Sequence, residues 1–479
     1  MLMSEILGEK CAVSAVMSND GLAAELVAES LFALQHRGPE ASGISSMLPS
    51  GWLKSIREVG LVRDVFDSDS LAELDGNLAI GHNRYSTNGD KKLHLQPVID
   101  ESIGFAFAHN GNLPDTDILE SHLSKHNIIT SRLNDSEMMA RTLAQNIRCG
   151  NDLPAAIEQN FELFKGAFSC IAMHGDTIVA FRDNYGIRPL ALGKFTEDGG
   201  YVVSSETCAF DPIDATYIRE VNPGEMLIIS DDGKLDSRQL EEPNFNLDMF
   251  ELVYFARHDS VLYGERINEI RRRFGNTLAI THPPIGNNIE NIIVVPIPDT
   301  SMPAAEGYAE ALSLRHRNAI IKNRYIGRTF LQPSQQERHG QLKRKHNVIP
   351  ESIKDRDIIL IDDSIVRGNT MPRLVEQVRM AGAKTVSVLI ASPPVRFPDF
   401  YGIDTPAQSE LMAFNMTPEE MRRKINADYL GFLSISHLIA ASGQNYDKFN
   451  LSCFNGEYKI DIGKQAKIVK KPISEEYMD

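Results

Sequence analysis

Two patterns of hydrophobic and polar positions divide the chain. Between residues 11 and 205, short apolar segments alternate with turns: CAVSAV, NLAIGHNRY, IGFAFAHN, AFSCIAM, DTIVAFRD and YVVSS. Such segments are typical of antiparallel strands. Residues 22–37 instead repeat apolar positions at helical spacing and predict a helix that stops at Gly38. We therefore expect stacked antiparallel sheets with helices packed outside them.

The pattern changes after about residue 260. The compact apolar runs IIVVPIP, NAIIKN, DIILID and TVSVLIAS alternate with helical stretches, as in a parallel sheet covered on both faces. The polar, turn-rich residues 231–248 predict the boundary. We predict one domain over residues 11–240, a second over 255–460 and a C-terminal tail over 461–479.

Composition narrows the function classes. The chain has 479 residues and a formal net charge of −16, which disfavours a general nucleic-acid binder. No apolar run approaches the roughly 20 residues that span a bilayer, and the first ten residues lack the apolar core of a signal peptide. Five scattered cysteines without a C-x-x-C pair argue against a disulfide framework or structural zinc. These features predict a cytoplasmic protein.

The run IILIDDSIVRGNT ends a predicted buried strand on Asp362 and Asp363. Ligands of an open parallel sheet bind at the carboxyl ends of its strands. Gly368 allows close backbone approach, and the N–H groups that follow could surround one phosphate. The two carboxylates suit sugar hydroxyls beside Mg²⁺. A lone Asp pair is equally consistent with a helix cap, but the whole spacing resembles the phosphoribosyl pyrophosphate signature of type I phosphoribosyltransferases.

Two further segments fit a pyrophosphate site. VVPIPDTSMPAA, residues 294–305, is another strand entering a polar turn and would place Ser301 near the metal. KNRYIGRTF, residues 322–330, is basic and aromatic, and the polar residues 332–345 follow it. Alone, this stretch would be an ordinary solvated segment. Beside a pyrophosphate site, a lid that excludes water is the better interpretation.

Cys11 is the candidate nucleophile. Without context, a thiol at a strand start is more often a small buried hydrophobe. If residues 1–10 are a propeptide that is removed, Cys11 carries a thiol and a free α-amine. That amine, with a pKa of about 7.7–8.0 in peptides, can serve as the base for its own thiol.

Four segments behind Cys11 suit amide hydrolysis: QHRGPEASG, GHNRYSTNG, AHNGNL and NDSE. Asn110 and the Gly111 backbone could donate to a developing oxyanion. Arg84 and Asp135 could hold the carboxylate and the ammonium of an α-amino acid. Each segment also has a structural interpretation, since HRG can be a helix end and HNG a hairpin turn. Their ordered combination favours the catalytic one.

Over nearly its whole length, the chain resembles the amidophosphoribosyltransferase family. RDNYGIRPL, SSETCAFD, NPGE, YFARHDS, KNRYIGRTF, DDSIVRGNT and FYGIDTP are similar to segments of that family. The resemblance implies an α+β N-terminal nucleophile hydrolase domain of four αββα layers, followed by an α/β type I phosphoribosyltransferase domain with a parallel sheet. It implies the first committed step of de novo purine synthesis. Ammonia freed from glutamine at Cys11 displaces pyrophosphate from phosphoribosyl pyrophosphate and gives 5-phosphoribosylamine and glutamate.

The resemblance also assigns residues and partners. It implies a homo-oligomer, dimer or tetramer, that purine nucleotides inhibit and that binds neither nucleic acid nor membrane. Glutamine binding falls to Arg84, Thr87, Asn110, Gly111 and Asp135. Phosphoribosyl pyrophosphate binding falls to Lys322, Arg328, Asp362, Asp363, Ser364, Ile365, Val366, Arg367, Gly368, Asn369 and Thr370, and Mg²⁺ binding to Ser301, Asp362 and Asp363.

The sequence departs from the family at a few positions. Some members carry an iron–sulfur cluster, but Asp399 stands where they have Cys, and Asn450 replaces the first Cys of a pair that would include Cys453. Since such clusters need thiolates, we expect none. His258 replaces the usual proline of YFARHDS, and no glycine follows the nucleophile.

Other classes fit less well. Another glutamine amidotransferase, such as a sugar-isomerising or asparagine-forming enzyme, would lack the phosphoribosyl signature or would carry an S-G-G-x-D-S loop. A ligand-sensing regulator would not need an intact nucleophile domain. A paralogue with one decayed site is disfavoured because every assignable motif residue is present. Because ammonia reacts only as the neutral species, we expect an enclosed path between the two sites.

Overall fold

The computed structural model describes most of the chain. Thr87 and Arg328, which the sequence assigns to substrate binding, lie outside the described residues, as does nearly all of the candidate lid. Within the part that is described, no helix is both long and apolar enough to cross a membrane. The structure describes the backbone of residues 8–9 and all of residues 11–85, 94–196, 199–284, 288–323 and 346–479.

The first half contains a seven-stranded antiparallel sheet. Its central strand, Ala12–Met17, begins directly after Cys11 and is buried at every position. A helix covers one face of this strand and a second sheet covers the other, which explains why every position is buried. From edge to edge, the strands are Ala215–Glu220, Ala191–Phe195, Tyr201–Ser204, Ala12–Met17, Leu78–Arg84, Ala41–Met47 and Leu53–Val59.

A six-stranded antiparallel sheet stacks on the first. Val13, Ala15 and Ile80 from the first sheet pack against Ala108 and Ile171 from the second in one buried core. Apolar residues on alternate strand positions supply both inner faces. From edge to edge, the strands are Leu235–Gln239, Glu225–Ser230, Thr177–Arg182, Ala167–His174, Phe105–Asn112 and Val98–Asp100.

Helices form the two outer layers of this domain. Ala23–Ala33 packs on the first sheet, beside the short helices Val62–Val65 and Ser68–Ala72. Asp117–Lys125, Asp135–Arg148 and Leu153–Asn160 lie on the second sheet. The order helix, sheet, sheet, helix confirms the predicted four-layer αββα architecture.

The first helix is shorter than the periodicity predicts. It ends at Ala33, and the chain then closes in tight turns in which the Arg37 N–H donates to the Leu34 carbonyl at 2.9 Å. The Arg37 side chain is fully buried rather than displayed on a last helical turn. Extending this helix to residue 37 was therefore wrong, because the need to bury Arg37 overrides the helical spacing.

The second half forms a five-stranded parallel sheet, as predicted. Ile267–Thr281, Met302–Ala311 and Ile435–Ser442 cover one face. Thr370–Met380 and Pro418–Ile425 cover the other. Short helices occupy Pro350–Ile353, Met412–Asn415 and Ser452–Asn455. The strands in order are Arg315–His316, Ile292–Pro296, Asp357–Asp362, Thr385–Ile390 and Tyr429–Phe432.

One predicted strand lies elsewhere. Ile320–Lys322, from the run NAIIKN, pairs antiparallel with His346–Val348 in a separate two-stranded ribbon. Ile320 is buried, whereas Ile321 is 46% exposed, so this strand has only one covered face. The edge position of the parallel sheet goes to Arg315–His316 instead. The prediction that NAIIKN joins the parallel sheet was wrong, because a short apolar run does not reveal how many faces are covered.

The two domains meet through a group of buried charges that we call the interdomain ion cluster: Arg37, Arg188, Glu206 and Glu251. All four side chains are fully buried. Glu251 accepts a hydrogen bond from Arg37 Nη2 at 2.8 Å and forms an ion pair with Arg188 Nη2 at 2.8 Å, and Arg37 also pairs with Glu206. Burial alone would raise the pKa of Glu206, but His36 and Arg37 hold it well below its usual range. Since buried charges are stable only when paired, the cluster fixes the two domains against each other.

Candidate active sites

Cys11 immediately precedes the central strand of the first sheet. It is 8% exposed, and its backbone has a φ of 76°, which is uncommon for a residue with a side chain. Two hydrogen bonds join the start of this strand to Ser205. The Val13 N–H donates to Ser205 Oγ at 3.0 Å, and the Ser205 N–H donates to the Val13 carbonyl at 3.0 Å. Backbone strain beside a candidate nucleophile motivates a functional interpretation.

Asn110 and Gly111 end the strand Phe105–Asn112 in the facing sheet. The Asn110 side chain is fully buried, yet neither its nitrogen nor its oxygen has a hydrogen-bond partner. Leaving such a group unpaired costs on the order of 1–3 kcal/mol. Gly111 has a φ of 154°, and a Cβ there would lie 2.0 Å from the Ala167 carbonyl oxygen, so only glycine fits. A buried amide without partners, next to a backbone that only glycine can adopt, suits an oxyanion site.

Asp135 is tied to the end of the same strand. It begins the helix Asp135–Arg148, which Asn134 caps. Its Oδ2 accepts from the Leu113 N–H at 3.1 Å, and its Oδ1 accepts from the Ser136 N–H at 2.9 Å. The carboxylate is therefore held one residue beyond Asn112, near the predicted oxyanion donors.

Arg84 ends the strand Leu78–Arg84, where its backbone pairs with Ala41. Burial, with the Arg84 charge as a second cause, lowers the pKa of His82 to about 3, so this imidazole is neutral at physiological pH. No sequence pattern singled out His82 or His109. His109 Nδ1 lies 2.8 Å from Ser136 Oγ, which links the strand of Asn110 to the helix of Asp135.

The second candidate site is a cleft at the carboxyl ends of the parallel strands. Most residues of the phosphoribosyl signature line it, together with residues from four other segments. The lining consists of Tyr254, Ile297, Pro298, Asp299, Thr300, Lys322, His346, Asp362, Asp363, Ser364, Ile365, Val366, Gly368, Asn369, Thr370 and Met371.

The paired aspartates are electrostatically unfavourable without a ligand. Burial and the Asp363 charge raise the pKa of Asp362 well above its usual range. Burial raises the pKa of Asp363 to about 6, although Ser364 and Arg271 act in the opposite direction. The Ser364 hydroxyl donates to Asp363 Oδ1 at 2.7 Å. Two adjacent carboxylates that repel each other in a cleft are suited to a hard cation and to sugar hydroxyls.

The cleft also offers groups for anions. The helix Thr370–Met380 begins here, and its cap residue Asn369 makes no side-chain capping hydrogen bond. A helix N-terminus carries partial positive charge, which favours an anion at this end of the cleft. Lys322 Nζ lies 3.0 Å from Asp299 Oδ2. These positions suit a phosphate and a pyrophosphate, respectively.

Two predicted residues point away from the cleft. Ser301 is buried, and its hydroxyl donates to the Ile297 carbonyl inside the turn. Arg367 Nε lies 2.9 Å from Glu410 Oε2. Neither lines the cleft as the structure stands, so their assignments to Mg²⁺ and phosphoribosyl pyrophosphate stay predictions.

Sequence reasoning missed several residues of this site. Tyr254 and His346 line the cleft from distant segments, and no local pattern announces them. Asp299 follows a predicted strand and could have been noticed from that position alone. Arg271 lies on the helix Ile267–Thr281, fully buried, and its charge acts on Asp363.

The positions that decide the iron–sulfur prediction take part in protein contacts. Asp399 Oδ1 accepts from two backbone N–H groups, and Asn450 Nδ2 donates to Asp248 at 3.3 Å. Burial, with the nearby Asp399 and Asp248 charges, raises the pKa of the Cys453 thiol. This environment disfavours the thiolate that a cluster needs.

The raised pKa of Asp363 predicts that this carboxylate lowers the stability of the free protein although it serves ligand binding. Because its pKa of about 6 exceeds the unperturbed 3.8, the folded protein keeps a proton that the unfolded chain loses, so stability falls as pH rises through this interval. We expect Asp363→Asn to raise the melting temperature at pH 7.5 without ligand. It should also abolish the further rise produced by magnesium and phosphoribosyl pyrophosphate, measured by thermal unfolding.

The control is Asp357→Asn, at the other end of the same strand. Although burial acts upward there, hydrogen bonds from Asn291 and Thr385 lower the pKa of Asp357, so this change should reduce stability and leave the ligand-induced rise intact. A normal ligand-induced rise in Asp363→Asn would contradict the assigned site.

Comparison with known domains agrees with this geometry. A glutamine amidotransferase domain model matches residues 82–212, and a phosphoribosyl transferase domain model matches residues 280–393. The amidophosphoribosyltransferase of Synechococcus elongatus is 39% identical over 464 residues, which cover 96% of this chain and 93% of the relative. The amidophosphoribosyltransferase of Bacillus subtilis is 38% identical, with 96% and 97% covered.

Solved structures are similar over the same extent. The glutamine phosphoribosylpyrophosphate amidotransferase of B. subtilis, complexed with ADP and GMP, is 37% identical at a TM-score of 0.85 and covers 95% of this chain and 98% of its own. A structure described as the allosteric regulatory enzyme of purine biosynthesis is 36% identical at a TM-score of 0.87, with 95% and 97% covered. With both domains matched in order along nearly its whole length, the chain belongs to the amidophosphoribosyltransferase family.

Proposed function

We propose that the chain converts glutamine and phosphoribosyl pyrophosphate into 5-phosphoribosylamine, glutamate and pyrophosphate, with Cys11 as the nucleophile of the glutamine half-reaction. Family membership supports glutamine-dependent amination of phosphoribosyl pyrophosphate in purine biosynthesis. The observation that carries the assignment of sites is that both lie in one chain, joined by a fully buried ion cluster.

Glutamine hydrolysis begins at Cys11. Its sulfur attacks the side-chain amide carbon of glutamine, and the α-amine exposed by removal of residues 1–10 accepts the thiol proton. Asn110 Nδ2 and the Gly111 N–H donate to the oxyanion that forms. The amide nitrogen leaves as ammonia with the proton from the α-amine, and water then hydrolyses the thioester to glutamate.

Arg84 and Asp135 hold the ends of the substrate in this proposal. Arg84 pairs with the glutamine carboxylate, and Asp135 accepts from its ammonium group. Thr87, in the same GHNRYSTNG segment, is a further proposed contact. Holding both charged ends places the amide carbon beside the thiol, which is where binding energy lowers the barrier.

The second half-reaction takes place in the cleft. Backbone N–H groups at the start of Thr370–Met380 receive the 5-phosphate, and Asp362 and Asp363 accept from the ribose hydroxyls. Lys322 lies toward the pyrophosphate. Ammonia attacks the anomeric carbon, and the bond from that carbon to the pyrophosphate oxygen breaks.

Mg²⁺ fits this cleft. Within the described residues, no group of three or more His, Cys, Asp or Glu side chains is arranged to hold a metal alone. Two mutually repelling carboxylates match an ion that proteins bind through one or two carboxylates together with substrate phosphates and water. When bound, the ion supplies positive charge that stabilises the departing pyrophosphate.

Regulation and assembly follow the family in this proposal. The B. subtilis structure contains ADP and GMP. We extend nucleotide inhibition to this chain, in a homo-oligomer of two or four copies.

Substitution of Cys11 by alanine separates the two half-reactions. We expect Cys11→Ala to abolish phosphoribosylamine formation from glutamine and to leave formation from added ammonium salt within about twofold of wild type, because the second site does not use the thiol. Pyrophosphate release, measured with each nitrogen source and with each substrate omitted in turn, is the assay. Equal loss of both activities would mean that Cys11 is only structural.

Maturation at Cys11 is testable by mass. Because the α-amine is the proposed base, active protein should lack residues 1–10 and begin at Cys11. Intact-mass spectrometry of purified protein expressed from residue 1 should show this loss. A full-length chain with full glutamine-dependent activity would contradict the role of the amine.

A further inference from the structure

A segment of the second domain contacts the predicted oxyanion donors of the first. We call residues 398–405 the interdomain loop. Asn112 Nδ2 donates to the Phe400 carbonyl of this loop at 2.8 Å. A Cβ on Gly402 would lie 3.3 Å from Gly111 Cα and 3.4 Å from Gly111 C, so the two backbones are in direct contact.

Asp399 organises the interdomain loop from within. Its Oδ1 accepts from the N–H groups of Tyr401 and Ile403, both at 2.8 Å. Its own N–H donates to Thr405 Oγ1 at 2.8 Å. The carboxylate is 6% exposed, so solvent contributes little to holding these backbone groups. Gly402 lies between the two residues whose N–H groups Asp399 binds, so this side chain helps to fix its position.

The loop is also supported from behind. The Tyr401 hydroxyl donates to the Ile460 carbonyl at 2.6 Å, and the Tyr458 hydroxyl donates to the Pro398 carbonyl at 2.7 Å. Tyr401 and Ile460 share a buried apolar cluster with Ala167 of the first domain. These contacts help to hold the loop against Gly111 from the side of the second domain.

Gly111 is enclosed from both domains. The Ala167 carbonyl lies close on one side, where a Cβ would meet it at 2.0 Å, and Gly402 lies on the other. Gly111 itself has a φ of 154°, a conformation open to glycine and to few other residues. A glycine has no side chain to anchor its N–H, so the direction of that donor is set by what packs around it.

We propose that Asp399 is a positioning residue for glutamine hydrolysis. By fixing the interdomain loop, it holds the backbone of Gly111 in the orientation that stabilises the oxyanion at the first site. The glutamine site is then completed by the second domain, and a residue that touches no substrate controls its rate. This inference rests on the proposed roles of Cys11 and Gly111.

Stabilisation of the oxyanion depends closely on where its hydrogen-bond donors point. A donor contributes to transition-state stabilisation only when it already points at the oxyanion, and a displacement of about 1 Å can reduce a rate by up to 100-fold. Loss of the Asp399 carboxylate releases two N–H groups next to Gly402 and lets the loop relax away from Gly111. The phosphoribosyl cleft does not contain the loop, so its chemistry should not change.

The test compares Asp399→Ala and Asp399→Asn with wild type in two assays. Phosphoribosylamine formation is measured from glutamine and from ammonium salt. We expect Asp399→Ala to lower kcat with glutamine about tenfold and to leave the ammonium-dependent rate unchanged. The asparagine variant keeps an oxygen acceptor for both N–H groups and should recover most of the lost rate. The KM for glutamine should change little, because Arg84 and Asp135 are untouched.

Hydrogen exchange of residues 108–113 provides a readout that does not depend on activity. Amide exchange there should be faster in Asp399→Ala than in wild type and near normal in Asp399→Asn. If Asp399→Ala does not fold, Asn112→Ala removes the same interdomain contact from the other side and should show the same selective loss of the glutamine-dependent rate.

The matched control is Asp428→Ala. Asp428 also accepts a hydrogen bond from a backbone N–H of the second domain, that of Val386 at 2.6 Å. Both residues lie outside the interdomain loop. Asp428→Ala should leave the ratio of the two rates at the wild-type value. An unchanged ratio in Asp399→Ala and Asn112→Ala, or a parallel fall of both rates, would overturn the inference. Failure of the proposed function is distinct, because wild type would then lack a glutamine-dependent rate that Cys11→Ala removes.

Discussion

The structure depends on a charge network that neither domain can satisfy alone. Arg37 and Arg188 come from the first domain, and Glu251 begins the segment that leads into the second. All are fully buried, and removing one partner from such a network typically costs about 3–5 kcal/mol because the remaining charge is left uncompensated. Glu251 also starts the helical turn that carries Tyr254 into the phosphoribosyl cleft. The same interaction that joins the domains therefore sets the distance between their sites.

Each site keeps groups that only a substrate would satisfy. The Asn110 amide is buried without hydrogen-bond partners. Asp362 and Asp363 lie side by side in the cleft, and their charges repel each other. Among the described residues, no group of three or more His, Cys, Asp or Glu side chains could hold a metal ion there alone. Both features cost stability in the folded chain. Functional sites commonly carry such costs, which the surrounding structure must offset. Here the stacked sheets and the covered parallel sheet provide rigid surroundings on which these groups are held.

Much of this could be read from local sequence. Four aliphatic residues before Asp362 correctly predicted a strand buried on both faces. The alternation of short apolar segments with turns correctly predicted the stacked sheets. What failed depends on contacts distant in the chain. Arg37 resembled a helix end because its partner Glu251 lies 214 residues away. Ile320 resembled a core strand because a single sequence does not show that one face of its ribbon is open. The sequence marked the interdomain loop only as the segment FYGIDTP and by the Asp399 that stands in place of Cys, since the importance of Asp399 lies in which backbone groups it orients.

If the two sites act together as proposed, nitrogen released at the first site is consumed at the second within one molecule. The most direct measurement supplies amide-¹⁵N glutamine, phosphoribosyl pyrophosphate and magnesium together with an excess of unlabelled ammonium, and determines the isotope in 5-phosphoribosylamine by mass spectrometry. We expect the glutamine-dependent product to carry ¹⁵N at nearly the rate seen without added ammonium. Product whose isotope ratio follows that of ammonium in bulk solution would contradict it.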